Sequence, residues 1–187
     1  MMKRIYFLAV LMLLSNAVFS QNKTDKQGRR QGQWIEYHDN GKIKSKGTFK
    51  NGFPVGEFFY YTETGSLQAK NVFAENGTDA VTEIYSENGK VVASGFYKNK
   101  KRDGEWHYFD ENEGVMILSE NYSDGILNGH WVSYYRTGEP QFEGEYKDGV
   151  KIGKWITYDP EGNVISIDNH EAEDYNAPEL EGVELER

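Results

Sequence analysis

Apolar and polar side chains alternate in short runs through most of the chain. In the run 43–49, Ile43, Ser45, Gly47 and Phe49 alternate with lysine and threonine, and four later runs keep the same order. A period of two over seven residues predicts a strand with one preferred face, whereas a helix repeats about every 3.6 residues. The pattern therefore predicts an all-β protein.

Turn signals separate these runs. Asn-Gly or Asp-Gly pairs stand at 40–41, 51–52, 88–89, 124–125 and 148–149. Such pairs tolerate the positive φ angles of tight hairpins, and ten to twelve residues per strand and turn leave no room for helices. Short connections pair each strand with its neighbour in sequence. We therefore expect a single-layer antiparallel β-meander of twelve strands, built from about six 24-residue β-hairpin repeats.

The hairpins recur at nearly constant spacing, which is typical of repeat arrays. Their opening residues are Gly32, Gly56, Ala80, Gly104, Gly129 and Gly153. Two residues further on, five copies carry a large ring: Trp34, Phe58, Trp106, Trp131 and Trp155. We expect the opening glycine to leave room for the ring of the preceding copy. Rings would then stack from copy to copy, each cross-strand pair contributing about 0.2–1 kcal/mol.

The middle of the array departs from this pattern. The third copy has Ala80 and Thr82 in place of glycine and ring, and it follows an irregular linker at 74–79. The fourth copy has one extra residue within 110–113. Extra residues in one strand of a pair produce bulges. We therefore expect a bulge or a bend in the middle of the sheet.

The first 20 residues have the organisation of a secretory signal peptide. Lys3 and Arg4 form a charged start, ten apolar residues follow at 5–14, and short side chains precede Ser20. Ten residues are too few to span a bilayer core of about 30 Å as a helix. We expect cleavage near Ser20 and a periplasmic or extracellular mature protein, with an uncleaved anchor as the alternative.

The remaining chain divides into three segments. Residues 21–31 form a polar leader and half repeat, 32–167 the repeat array, and 168–187 an acidic tail with eight acids and one base. The tail is expected to be solvated, with a short closing strand or helix as the alternative. The whole chain has a net charge of −9, so we expect neither nucleic acid nor a membrane surface as a partner.

No catalytic or metal-binding pattern emerges from the residue types. The chain has no cysteine, and its four histidines occupy unrelated repeat positions: His38, His107, His130 and His170. Three ligands for a metal would have to converge by accident. The strand acids are more simply explained as solvated positions: Glu36, Glu57, Glu83, Glu105 and Glu145. We therefore predict no enzyme activity, no catalytic residues, no metal and no cofactor.

The fixed rings are the candidate binding residues. These are Trp34, Phe58, Trp106, Trp131 and Trp155. On an exposed face they would form a ladder with steps of roughly 10 Å, which can stack on sugar rings or anchor a partner protein. The alternative is that the rings pack against each other and build the fold.

The glycine and ring positions of 32–165 resemble the MORN repeat (membrane occupation and recognition nexus) in its bacterial variant, an antitoxin-like repeat family. The resemblance implies the hairpin array. For function it is consistent with a non-catalytic exported scaffold that binds a protein partner, which is our first expectation. A carbohydrate-binding module with a glycan ligand and an antitoxin-like component of a toxin–antitoxin pair are the alternatives. Export does not fit an antitoxin that neutralises a cytoplasmic toxin.

Overall fold

The computed structural model describes residues 21–171, and these form one open antiparallel sheet whose strand order follows the chain. Its thirteen strands are β1 Lys23–Thr24, β2 Arg30–Tyr37, β3 Ile43–Lys50, β4 Phe53–Tyr61, β5 Leu67–Phe73, β6 Ala80–Tyr85, β7 Val91–Lys98, β8 Lys101–Phe109, β9 Met116–Ser123, β10 Ile126–Tyr134, β11 Pro140–Lys147, β12 Val150–Tyr158 and β13 Val164–His170. The predicted all-β meander is confirmed.

The strand count exceeds the predicted twelve because the polar leader contributes β1, which pairs with β2. At the other end, β13 pairs with β12 as far as His170, three residues into the segment predicted as tail. The predicted signal peptide and the rest of the predicted tail lie outside the described residues. Within 21–171, no helix is long and apolar enough to cross a membrane.

The turns differ between the two edges of the sheet. Along one edge, two-residue turns such as Asn51-Gly52 have both φ angles positive, at 53° and 88°. Along the other edge the turns are wider: the His38 N–H donates to the Lys42 carbonyl at 2.8 Å, and Gly41 has φ of 80°. Both kinds keep successive strands adjacent, so extensive contacts occur only between strands that are neighbours in sequence.

A bulge at the opening glycine characterises the regular copies. In the second copy, Lys46 pairs with Phe59 and Thr48 with Val55, so three residues of β4 face Gly47 alone. The opening glycine Gly56 has φ of 64°, and a Cβ added there would meet no other atom within 4 Å. It is needed for this backbone conformation and makes no room for a ring, so the expectation for the opening glycines is wrong.

Room for the ring is made by a different glycine, on the preceding strand. A Cβ at Gly47 would lie 2.0 Å from Cδ2 of Phe58, and a Cβ at Gly95 would lie 2.2 Å from Cδ2 of Trp106. Both distances are far inside van der Waals contact. The rings therefore lie directly on the backbone of the strand before them.

The third copy has no such bulge between its first strand and the strand before it. Thr82 pairs with Asn71 and Ala80 with Phe73, and the register between β5 and β6 runs without a shift. The irregular linker 74–79 connects these two shortened strands. The expected bulge is thus absent at this pairing and present in the regular copies, because alanine does not readily take the positive φ that the bulge requires.

Candidate functional site

One face of the sheet, called here the ring face, carries the fixed rings and the residues paired with them. Phe58, Trp106 and Trp155 are buried, with 4%, 0% and 7% of their surface exposed. Trp34 and Trp131 are half-buried. Three of the five candidate binding rings therefore have almost no surface left for a ligand, and their part in the array is packing.

How far a ring is buried depends on the residue of the preceding strand that lies beneath it. Glycines stand under the three buried rings: Gly47, Gly95 and Gly144. The equivalent positions of the copies between them hold larger side chains. Glu120 pairs with Trp131 and accepts a hydrogen bond from its Nε1 at 3.2 Å. On this face the structural period is therefore two copies rather than one.

Neighbouring rings are in contact along the ring face. Phe49 stands edge-on to Trp34 and to Phe58, with centroid distances of 5.8 and 5.4 Å. Trp131 and Trp155 lie 5.4 Å apart. The last pair is tilted, with an angle of 38° between the ring planes. Edge-to-face pairs such as those of Phe49 are worth about 0.5–1.5 kcal/mol beyond the burial of their area.

Cationic side chains cover several of the rings. Arg30 lies 4.8 Å from the ring centroid of Trp34, and Lys151 lies 3.9 Å from that of Trp155. Arg102 lies 4.4 Å from Trp106. A cation over an aromatic face is attracted by the ring quadrupole, so these rings already have partners within the chain.

A polar cluster occupies the ring face around Arg102. Its Nη1 donates to the hydroxyl oxygens of Tyr108 and Tyr122 at 2.7 and 3.1 Å, and the Tyr122 hydroxyl donates to Glu120 at 2.7 Å. Burial, assisted by the Glu120 carboxylate, raises the pKa of Tyr108 and of Tyr122 above the usual value. Both tyrosines therefore remain neutral hydrogen-bonding groups at physiological pH.

A cavity of about 600 Å³ opens at the start of the third copy, beside the position where the fixed ring is missing. Aromatic side chains form its walls: Tyr60, Phe73 and Tyr97. Asn71, Thr78 and Lys100 supply polar groups. The repeat pattern alone does not predict this site, although Ala80 and Thr82, where the pattern fails, indicate its position.

The opposite face carries a row of exposed apolar side chains at the same place. Val72 pairs with Val81, and Val81 pairs with Phe96. All three are exposed, Val81 most of all at 56%. Residues in direct register lie about 4.5–5.5 Å apart, so the three side chains form a continuous strip across three strands.

The histidines and acids are dispersed. His38 Nε2 lies 2.9 Å from the Tyr61 carbonyl oxygen, and His107 Nε2 lies 3.4 Å from a Glu105 carboxylate oxygen. Within residues 21–171, no three acidic or histidine side chains are placed to hold a metal ion.

Comparison with known proteins finds a similar repeat. The family model described as MORN repeat variant matches residues 30–51, 79–99, 127–148 and 151–172. The four matches cover 87 of the 187 residues, just under half of the chain, and each includes one hairpin of the thirteen-stranded meander, so the array is similar to MORN repeats. The second match includes the degenerate third copy, which therefore follows the repeat pattern apart from its missing ring.

Other comparisons add little. No curated protein matches the chain. Among solved structures, the crystal structure of the pneumococcal O-GlcNAc transferase GtfA in complex with UDP and GlcNAc is similar at 16% identity, covering 55% of this chain and 20% of that one, with a TM-score of 0.35. This chain spans only about a fifth of that protein's length. No conclusion about fold or function follows from so weak a similarity.

Proposed function

We propose that this chain is a non-catalytic, exported scaffold that binds a protein partner at its third repeat. The observation that carries the proposal is the strip of Val72, Val81 and Phe96, which lies exposed on one face of the sheet. Exposed apolar groups that are contiguous, rather than scattered singly, mark interaction surfaces.

The shape of the molecule supports the same role. Thirteen strands spaced by about 4.8 Å form a ribbon roughly 60 Å long, and a single layer leaves both faces open to a partner. The rings and the polar cluster join neighbouring strands, so we expect little conformational entropy to be lost on binding.

Envelope extract passed over the immobilised chain tests the proposal. Val81→Lys places a charge in the strip, and Val164→Lys is the matched control, since Val164 is exposed to a similar degree at 54% but lies in β13. We expect a specific protein to be captured by the wild type and the control and lost by Val81→Lys. Equal capture by both variants, or no specific capture by the wild type, would refute the proposal.

Export is a separate part of the proposal, supported by the pattern of residues 1–20. Cell fractionation and N-terminal sequencing of the purified protein test it, with a mature terminus near Gln21 as the expected result. A protein that stays in the cytoplasm with its N-terminus intact would instead favour the antitoxin-like alternative.

A further inference from the structure

The cavity at the third copy is lined by two aromatic side chains, Phe73 and Tyr97, that occupy regular positions of the repeat. In the second copy, Phe58 stands edge-on between Phe49 on the strand before it and Phe73 on the strand after it, at 5.4 and 6.0 Å. By the same register, a third-copy ring would stand between Phe73 and Tyr97. Both of these residues line the cavity.

The third copy has lost two groups rather than one. Thr82 takes the ring position and is itself buried, donating a hydrogen bond to Asn71 Oδ1 at 3.0 Å. Thr78 takes the position that Arg30 and Arg102 hold in the first and fourth copies, where each cation covers a ring. The absence of both side chains leaves the space unfilled by this copy.

Ala80 forms the floor of the cavity. It pairs directly with Phe73 on one side and with Tyr97 on the other, and it is 2% exposed. Its methyl group separates the two rings without filling the space above them. The whole cavity, which also extends to Phe53 and Tyr60, has a volume of about 600 Å³, within the range typical of ligand pockets.

The rim of the cavity is held in place from both sides. On one side, the linker residue Gly77 is packed so closely that an added Cβ would lie 2.5 Å from Cβ of Phe53. On the other, the Lys100 N–H donates to the Thr78 carbonyl at 3.0 Å, and the Asn99 N–H donates to the Asp79 carboxylate at 2.8 Å. The cavity is therefore preformed, which reduces the entropy lost on binding.

We propose that this cavity binds one aromatic side chain of a partner protein, presented in a segment with an adjacent carboxylate. The array fills the equivalent places with its own rings, so the space between Phe73 and Tyr97 is complementary to a ring. Lys100 lines the cavity and forms no ion pair within residues 21–171. A carboxylate beside the inserted ring complements this ammonium group. The inference rests on the proposed function and gives the same partner a second contact, on the ring face, in addition to the strip on the opposite face.

Dye-labelled peptides test the site directly. The probes are acetylated Gly-Glu-Trp-Glu-Gly and its counterpart with leucine in place of tryptophan, titrated into the purified full chain while fluorescence anisotropy is recorded. We expect the tryptophan peptide to bind about tenfold more tightly, because only a ring gains the edge-to-face contacts. Equal affinities of the two peptides, or no binding of either at millimolar concentration, would overturn the inference.

Two variants locate the binding. Ala80→Leu fills the floor of the cavity and is expected to weaken the tryptophan peptide by about tenfold or more. Lys100→Glu changes only an exposed charge at a hairpin tip, so it tests the site even if Ala80→Leu fails to fold. It is expected to weaken binding in a salt-dependent way, while Lys147→Glu, an exposed lysine elsewhere, leaves it unchanged. Unchanged affinity in Lys100→Glu and in folded Ala80→Leu would contradict the proposal.

Sugars are the competing class of ligand. Glucose, N-acetylglucosamine and cellobiose are added as competitors, and displacement of the peptide at low millimolar sugar would assign the cavity to a glycan instead. The partner capture described above separates the two proposals. If Ala80→Leu retains the captured protein while Val81→Lys loses it, the scaffold function stands and the second contact, on the ring face, is wrong.

Discussion

Replacing Gly95 by alanine tests the packing of the array with a single methyl group. The φ angle of Gly95 is not positive, so alanine meets no backbone strain there. Its Cβ, however, would lie 2.2, 2.4 and 2.6 Å from three atoms of the Trp106 ring. The substitution therefore perturbs one contact, the contact between the backbone of β7 and the ring on β8.

The magnitude depends on whether the ring can move. Trp106 is 0% exposed and its Nε1 donates to the Phe96 carbonyl at 3.1 Å, so a tilt costs packing and this hydrogen bond. Overpacking a core costs about 1–3 kcal/mol, and an unpaired buried polar group costs about 1–3 kcal/mol. Reduced entropy of the unfolded chain offsets only about 0.4–1 kcal/mol. We expect the free energy of unfolding to fall by about 3 kcal/mol.

Urea and thermal unfolding of the full chain, followed by far-ultraviolet circular dichroism, measure this loss. For a chain of this size, a loss of about 3 kcal/mol corresponds to a fall in Tm of about 6–12 °C. Gly104→Ala is the control, because Gly104 has φ of 68° and open space around it. Its cost, about 1–2 kcal/mol, comes from the backbone alone.

A double-mutant cycle with Trp106→Leu separates the clash with the ring from strain in the backbone. A smaller side chain removes the collision, so Gly95→Ala should be nearly neutral in the Trp106→Leu background, while Gly104→Ala keeps its full cost. If Gly95→Ala lowers the free energy of unfolding equally in both backgrounds, or by less than about 0.5 kcal/mol in the wild type, the reasoning about ring clearance is refuted.

Two titrations give further predictions. The hydrogen bond to Glu83 raises the pKa of Tyr85 from 10.0 to about 12. The unfolded chain therefore loses this proton first, and the free energy of unfolding falls between about pH 10 and 12; absorbance titration should show a lower pKa in Glu83→Gln. Burial raises the pKa of Asp25, but hydrogen bonds from Arg29, Gln31 and Gln27 outweigh it and lower the pKa from 3.8 to about 2. This stabilisation is present above pH 3.8 and is lost as the pH falls toward 2, so in thermal scans Asp25→Asn should reduce the pH dependence in that window; unchanged profiles in either variant would contradict the assignment.

Much of the fold could be predicted because strands and turns are local in sequence. Alternation in 43–49 places Ser45 and Gly47 on one face, and the Asn-Gly pair at 51–52 supplies two residues at positive φ. These signals need no knowledge of distant contacts. In a meander each strand pairs with the next strand in sequence, so the order of the strands along the chain is also their order in the sheet.

The packing between copies could not be read in the same way. Positive φ and clearance for a ring both require glycine, and the sequence does not show which role a given glycine has. Gly56 has the first role and Gly95 the second, and only the register of the strands separates them. The glycines that make room for a ring are Gly47, Gly95 and Gly144, and they are spaced by 48 and 49 residues. This spacing of two copies is not apparent when the sequence is aligned on a period of 24.

The effect of Gly95→Ala should remain local, because extensive contacts join only strands that are neighbours in sequence. In such an array, stability is a sum of units and nearest-neighbour interfaces, and parts of the chain can open separately. Native-state hydrogen exchange of Gly95→Ala should therefore show faster exchange in β7–β9 and unchanged exchange in β2 and β12. A uniform loss of protection across all strands would mean that the sheet unfolds as one cooperative unit, in which case the neighbour-by-neighbour account of its stability is wrong.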